Sequence, residues 1–207
     1  MMFPRRRIGF VLSLVAMAVL LSAALATAAP SKTLDNLQAA FNGESNANAK
    51  YLEFAKKADA EGFAGVAALF RAAAKAEEFH ARNHADVIKK LGAEPKMEIK
   101  LPAIKTTAEN VKAAFEGETY EKDTMYPGFI AEAKAAGEKD AVKSFNFAIA
   151  AEGQHAKYYA DAMANAQAWR AAKKFMVCPI CGNTVTTLDF PKCPVCFTPG
   201  EKFVAVS

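Results

Sequence analysis

The chain has 207 residues, 52% of them hydrophobic and 23% charged, with a net charge of +4. Three of its cations, Arg5, Arg6 and Arg7, crowd the extreme N-terminus, and the remainder of the chain is close to neutral. No basic face with interleaved aromatics stands out, so no nucleic-acid partner is expected, and the alanine-rich composition fits a helical globular protein.

Residues 1–28 read as a cleaved signal peptide. The arginines form a positive n-region, Gly9 to Ala24 is an almost unbroken apolar run, and Ala26-Thr27-Ala28 fits an A-x-A cleavage site. The run is short for a membrane span and ends in small residues instead of a stop-transfer cluster, so no stable span is expected after cleavage. The expected compartment is the periplasm. The arginines also suit a twin-arginine route, but no Phe-Leu pair comes after them, and the export route stays open.

Four long helical patterns fill the next stretch, 33–172. The first runs from about Leu34 to Glu61 behind Thr33 as N-cap, with Leu37, Phe41, Glu44, Asn48 and Tyr51 on its inward stripe. The second runs from Gly65 to Leu91, with Phe70, Glu77, His80, His84 and Val87 inward. Thr106 and Glu109 look like a capping box for the third, which carries Glu118, Glu121 and Met125 and should be kinked or broken at Pro127. The fourth runs from Asp140 to Ala172 through Phe145, Glu152, His155 and Tyr159. Tight turns join helices one and two, and three and four, so each of these pairs is antiparallel. The middle connection, Gly92 to Lys105, has about 14 residues and can stretch about 45 Å, the height of a helix of this length. That is the single long crossover of a ferritin-like bundle.

A helix pair is used twice. Ala39-Ala40-Phe41-x-Gly43-Glu44 recurs as Ala113-Ala114-Phe115-x-Gly117-Glu118, and Ala76-Glu77-x-x-His80 recurs as Ala151-Glu152-x-x-His155. The repeated residues are the wrong kind for a core. Glu44, Glu77, Glu118, Glu121 and Glu152 fall on inward stripes without a lysine or arginine among them, a cost that cations remove. Two ferrous or two ferric ions would leave the five carboxylates within one charge of neutrality. Glu and His three apart share a helical face, and two such pairs with Glu from two further helices form the di-iron or di-manganese carboxylate arrangement. The plainer alternative is that the glutamates face solvent. One Glu-x-x-His motif would leave that open; two in register with a duplicated Gly-Glu favour metal. His84 has no histidine at its repeat position and reads as an ordinary buried histidine or a hydrogen-bond partner of the site, with a third imidazole ligand as the alternative. Tyr51 and Tyr126 are either packing residues or donors to a ligand carboxylate.

All four cysteines lie in residues 175–207, as Cys178-Pro-Ile-Cys181 and Cys193-Pro-Val-Cys196. Paired C-x-x-C knuckles signal a tetrahedral thiolate site for iron or zinc, with two disulfides as the alternative in an oxidising compartment. Val185, Leu188, Phe190, Phe197, Phe203 and Val204 are expected to form a small β-rich core around it.

In their order along the chain these motifs resemble the rubrerythrin family, over about Thr33 to Val204. The resemblance implies an all-α ferritin-like four-helix bundle joined to a rubredoxin-like domain. It implies a non-haem peroxidase that reduces hydrogen peroxide to water at two irons held by Glu44, Glu77, His80, Glu118, Glu121, Glu152 and His155. Electrons would arrive through one iron held by Cys178, Cys181, Cys193 and Cys196. Glu121 would exchange with His80 on reduction, beside Tyr51 and Tyr126, in a homodimer that sets one subunit's rubredoxin-like site against the other's di-iron centre. Phe197 departs from the family, standing where a small residue is expected. The signal peptide is the second departure, and it calls for a periplasmic donor such as a cytochrome, not identified by the sequence. A ferroxidase or iron-handling protein, and a non-enzymatic electron-transfer protein, are the competing functions.

Overall fold

Small residues decide how closely the helices approach. The computed structural model describes Met1 and residues 31–207, so the signal peptide lies outside the described residues. Helix α1 (Lys32–Ala60) and helix α2 (Ala64–Lys90) turn at Gly62, whose φ of 75° is free of strain only for glycine. Buried Ala47, Ala55, Ala58, Ala67, Ala72 and Ala73 lie in the core around this pair. Ser31, not Thr33, caps α1, its hydroxyl accepting from the Leu34 amide at 3.2 Å. Thr33 is buried instead.

Past the crossover, Thr106 and Glu109 form the capping box of α3 (Thr107–Tyr120). One wide π turn, Glu121–Met125, then leads into α4 (Tyr126–Ala135). The expected break at Pro127 does not occur. Proline sits in the first turn of α4, directly after the π turn, so its missing N–H and its ring fall where a widened turn already interrupts the regular hydrogen bonding. The turn also shifts the repeat. Glu44 and Glu118 are 74 residues apart but Tyr51 and Tyr126 are 75 apart, and the extra residue inside the π turn restores the tyrosine to its symmetric place.

Helix α5 (Lys139–Ala164) stops earlier than Ala172. Asp161 accepts hydrogen bonds from Asn165 at 2.7 Å and from the Trp169 indole at 2.8 Å, which pulls the chain into a 3-10 turn, Ala166–Arg170. Trp169 is thereby buried and stacks on Phe175, where the sheet begins. Three short antiparallel strands complete the chain, β1 (Phe175–Val177), β2 (Thr184–Val185) and β3 (Val204–Val206), in the order β2-β1-β3. The fold is thus a ferritin-like helical bundle with a small four-cysteine sheet domain at its C-terminus. Among the described residues no helix is long and apolar enough to cross a membrane.

The crossover has no secondary structure of its own. A ladder of amide side chains on α1 holds it: Gln38 donates to the Glu94 carbonyl and accepts from the Lys96 amide, and Asn42 accepts from the Glu98 amide. Asn46 donates to the Glu98 carbonyl and accepts from the Lys100 amide. Spaced by four, these residues form one stripe of α1. Asn46→Ala removes the two lowest rungs, and we expect a loss of about 1–2 kcal/mol in chemical denaturation, with faster proteolytic nicking between residues 94 and 105.

Candidate metal centres

Two aromatic walls enclose the centre of the bundle. Tyr51, Phe54, Phe70 and Tyr159 form one, with ring centroids 5.3–6.2 Å apart, and Tyr126, Phe129, Phe145 and His84 the other, at 5.4–6.2 Å. Between them lie two groups of donor atoms, each within 4.8 Å of one another: Glu44, Glu77, His80 and Glu152, and Glu77, Glu118, Glu152 and His155. Every one of these side chains is buried, so the glutamates do not face solvent. Glu77 and Glu152 belong to both groups and bridge the two positions.

A test of fit lies in the oxygens without partners. Oε2 of Glu44, Oε1 of Glu77, Oε2 of Glu118 and Oε1 of Glu152 are buried and lack any hydrogen bond. Four orphaned carboxylate oxygens in one pocket are costly without a cation, because each forfeits its hydration without replacement. They suit hard cations that also take imidazole nitrogen. The other oxygens are already used: Tyr51 donates to Glu118 Oε1 at 2.8 Å, and Tyr126 donates to Glu44 Oε1. Both tyrosines are therefore donors to candidate ligand carboxylates as well as core residues.

The protons record the same strain. Burial, then the repulsion of neighbouring carboxylates, pushes Glu77, Glu152 and Glu121 well above the usual carboxylate range. Burial acts likewise on Glu44 and Glu118, but hydrogen bonds and charge from His84 and His80, and from His155, outweigh it and hold both carboxyls low. Burial opposes the charging of His80, yet the Glu77 carboxylate bonded to it at 2.8 Å raises its pKa to about 9.

Glu121 stands apart. It is half-buried at the start of the π turn and belongs to neither donor group, whose histidines are His80 and His155. His84 is no ligand in this arrangement. Its Nε2 lies 3.1 Å from the Tyr126 hydroxyl and its Nδ1 2.8 Å from the Ser144 hydroxyl. Sequence alone does not single out Ser144; its only signal there is that the repeat sets Leu69 in its place.

The four cysteines converge into a third group within the same limit. Sγ of Cys178 lies 3.5 Å from that of Cys196, and Cys181 lies 3.5 Å from Cys193, too far for disulfides, whose S–S length is about 2.05 Å. Hydrogen bonds from neighbouring groups, Cys181 foremost, lower the Cys178 thiol to about 5, while bonding to Cys178 and burial push Cys181 up. Four thiols at this spacing share one cation, which deprotonates them together. The core around them is smaller than the sequence suggests. Phe203 is buried and Val185 and Phe190 pack beside it, but Leu188, Val204 and Phe197 are exposed, Phe197 at 73%. Phe197 has φ 61°, the left-handed turn that glycine takes without strain, so its side chain projects away from the core.

This thiolate site docks on its own bundle. Three successive carbonyls of the first knuckle bond to α2: Pro179 to Arg82 at 2.5 Å, Ile180 to Asn83 at 2.7 Å, and Cys181 to His80 Nε2 at 3.1 Å. His155 Nε2 meets the Thr184 hydroxyl at 3.0 Å. Within one chain, then, the thiolate site contacts its own bundle along α2. A Cβ on Gly182 would land on the His80 ring, so glycine is required by space as well as by its φ of 73°.

A carboxylate-bridged pair in a helical bundle, wired to a tetrathiolate site, defines the class of di-iron proteins with a rubredoxin-like appendage. A family model described as Rubrerythrin matches residues 35–163. The chain is 40% identical over 174 residues to nigerythrin of Nitratidesulfovibrio vulgaris, covering 84% of this chain and 86% of that one. It is 32% identical over 176 residues to Rubrerythrin-2 of Clostridium acetobutylicum, covering 84% and 96%. The solved structure of fully reduced, all-ferrous nigerythrin superposes with a TM-score of 0.78 at 37% identity, covering 88% of this chain and 91% of that one. The chain belongs to the rubrerythrin family. Its bundle cluster is the di-iron site, and its four cysteines hold a rubredoxin-like iron.

Charge and space at the two centres give two expected outcomes. In the metal-free chain, the raised Glu77, Glu152 and Glu121 favour the fold fully below about pH 4.5 and lose that contribution as pH rises. His80 adds a contribution that is complete below 6.5 and lost through about 9. The lowered His84 works oppositely, but only up to about 6.5, its ordinary value. The lowered Cys178 thiol opposes this between about pH 5 and 9, so it is a metal-free Cys178→Ser variant that should lose thermal stability between pH 6.5 and 9, while wild-type protein loaded with iron at both sites should show a much flatter profile. Separately, Gly182→Ala should displace the knuckle from His80. Stopped-flow reduction of the di-iron site should slow at least about tenfold, while the absorption of the thiolate iron stays unchanged.

Proposed function

We propose that this protein is an exported peroxidase that reduces hydrogen peroxide to water, with electrons entering at the cysteine site and crossing to the bundle through His80. The observation that carries this reading is the direct contact of Cys181 with His80, since a dedicated electron route into a closed two-metal site suits repeated turnover. Family membership supports it: members of the rubrerythrin family reduce peroxide. When bound, two ferrous ions supply both electrons that cleavage of an O–O bond requires, without release of a radical.

The side chains do the rest. Tyr51 and Tyr126 hold Glu118 and Glu44 in fixed rotamers. The aromatic walls keep bulk water from the centre. Glu121 would alternate with His80 at one metal position, a reading supported by its place on a turn whose backbone already departs from regular helix. Export rests on the N-terminal pattern of arginines, apolar run and Ala26-Thr27-Ala28, and it implies a periplasmic electron donor such as a cytochrome. A homodimer is the expected assembly.

Mixing the fully reduced protein with peroxide should oxidise both centres faster than dioxygen does. Equal rates, or mineral accumulation on excess ferrous iron, would favour iron handling instead. Glu121→Ala should retain iron yet lose most peroxide turnover, by at least about tenfold; unchanged turnover would overturn the exchange with His80.

A further inference from the structure

The two halves of the di-iron site are related by the internal repeat, and they differ in what lies behind the two tyrosines. On the Glu118 side, Tyr51 packs against Tyr159, whose hydroxyl has no partner, and the residue matching Ser144 is Leu69, fully buried. On the Glu44 side, the matching positions are His84 and Ser144, and they continue the hydrogen bonding outward from Tyr126. Ser144 lines a surface cleft of about 200 Å³ whose rim carries Asp86, Lys143 and the Lys90–Asp140 ion pair.

The direction of these bonds is fixed by chemistry. A ligand carboxylate only accepts, so the single Tyr126 proton goes to Glu44. Tyr126 oxygen then accepts from His84 Nε2–H, which leaves Nδ1 as the acceptor for the Ser144 hydroxyl. Every donor points inward. We infer that Ser144, His84 and Tyr126 form a one-way proton path from the surface cleft to Glu44, which makes the two metal positions unequal in proton supply. The inference rests on the peroxidase reading for its substrate: H2O2 + 2 e− + 2 H+ gives 2 H2O, the O–O bond breaks, the electrons come from the reduced irons, and the protons come from solvent. Each member hands on one proton as it receives another, so none needs to change its net charge. His84 and Ser144 are positioning residues, since neither touches the reacting atoms.

The test uses the full-length, iron-loaded protein and the variants Ser144→Ala, His84→Phe and, on the opposite side, Tyr159→Phe. Proton uptake is tracked with an indicator dye when reduced protein is mixed with peroxide. The expected result is a fall of at least about fivefold in kcat and in the rate of proton uptake for Ser144→Ala and His84→Phe, an unchanged KM for peroxide, and no change for Tyr159→Phe. A second readout needs no iron: 15N NMR of the metal-free chain should show His84 protonated at Nε2 and hydrogen-bonded at Nδ1, with the Nδ1 resonance moving in Ser144→Ala. Should peroxide fail to oxidise the reduced wild type, the peroxidase reading falls, and the same uptake measurement made with dioxygen still decides the path. Equal rates of proton uptake in wild type, Ser144→Ala and His84→Phe, or a His84 protonated at Nδ1 alone, would overturn it.

Discussion

Carboxylates without counter-charge cannot stay in a dry bundle, and that single restriction orders the molecule. Four glutamates present one bonded and one unbonded oxygen apiece to the same small space. Cations in the gap offset the free energy of burying them, so metal binding and the packing of the helices are thermodynamically linked. The aromatic walls on either side sharpen the requirement. By excluding water they lower the local dielectric, which strengthens attraction to a cation and makes its absence more costly.

Helix α2 carries the coupling between centres. Within two turns it presents Glu77 and His80 to the metals, His84 to Tyr126, and Arg82 and Asn83 to the knuckle. Residues three and four apart share a face, while those at 82 and 83 emerge beside it. One rigid element thus sets the distance between the thiolate site and the bundle cluster. Glycine at 182 is what lets the backbone of the thiolate site come close enough for a hydrogen bond to the imidazole.

Much of this is written in residue spacing. The two Glu-x-x-His motifs, the duplicated Gly-Glu and the knuckles are legible because ligand chemistry needs particular atoms at particular helical offsets. Crossover length gives the topology for the same geometric reason. The π turn escapes a reading of the sequence although the repeat offset changes from 74 at Glu118 to 75 at Tyr126, because Pro127 points to a kink. The end of α5 is overrun since Asn165 and Trp169 keep a helical pattern, and only the tertiary capture of both by Asp161 turns the chain. Ser144 and the docking of the knuckle are not readable at all, because each depends on a neighbour distant in sequence.

The amide ladder that clasps the crossover speaks to its backbone alone. Met97, Ile99 and Leu101 all point outward, and no rung reads their identity. Such a segment is permissive in spelling and strict in metre: exchanging one of its side chains leaves every rung intact, whereas adding or deleting one residue would shift the carbonyls and amides past Gln38, Asn42 and Asn46 together.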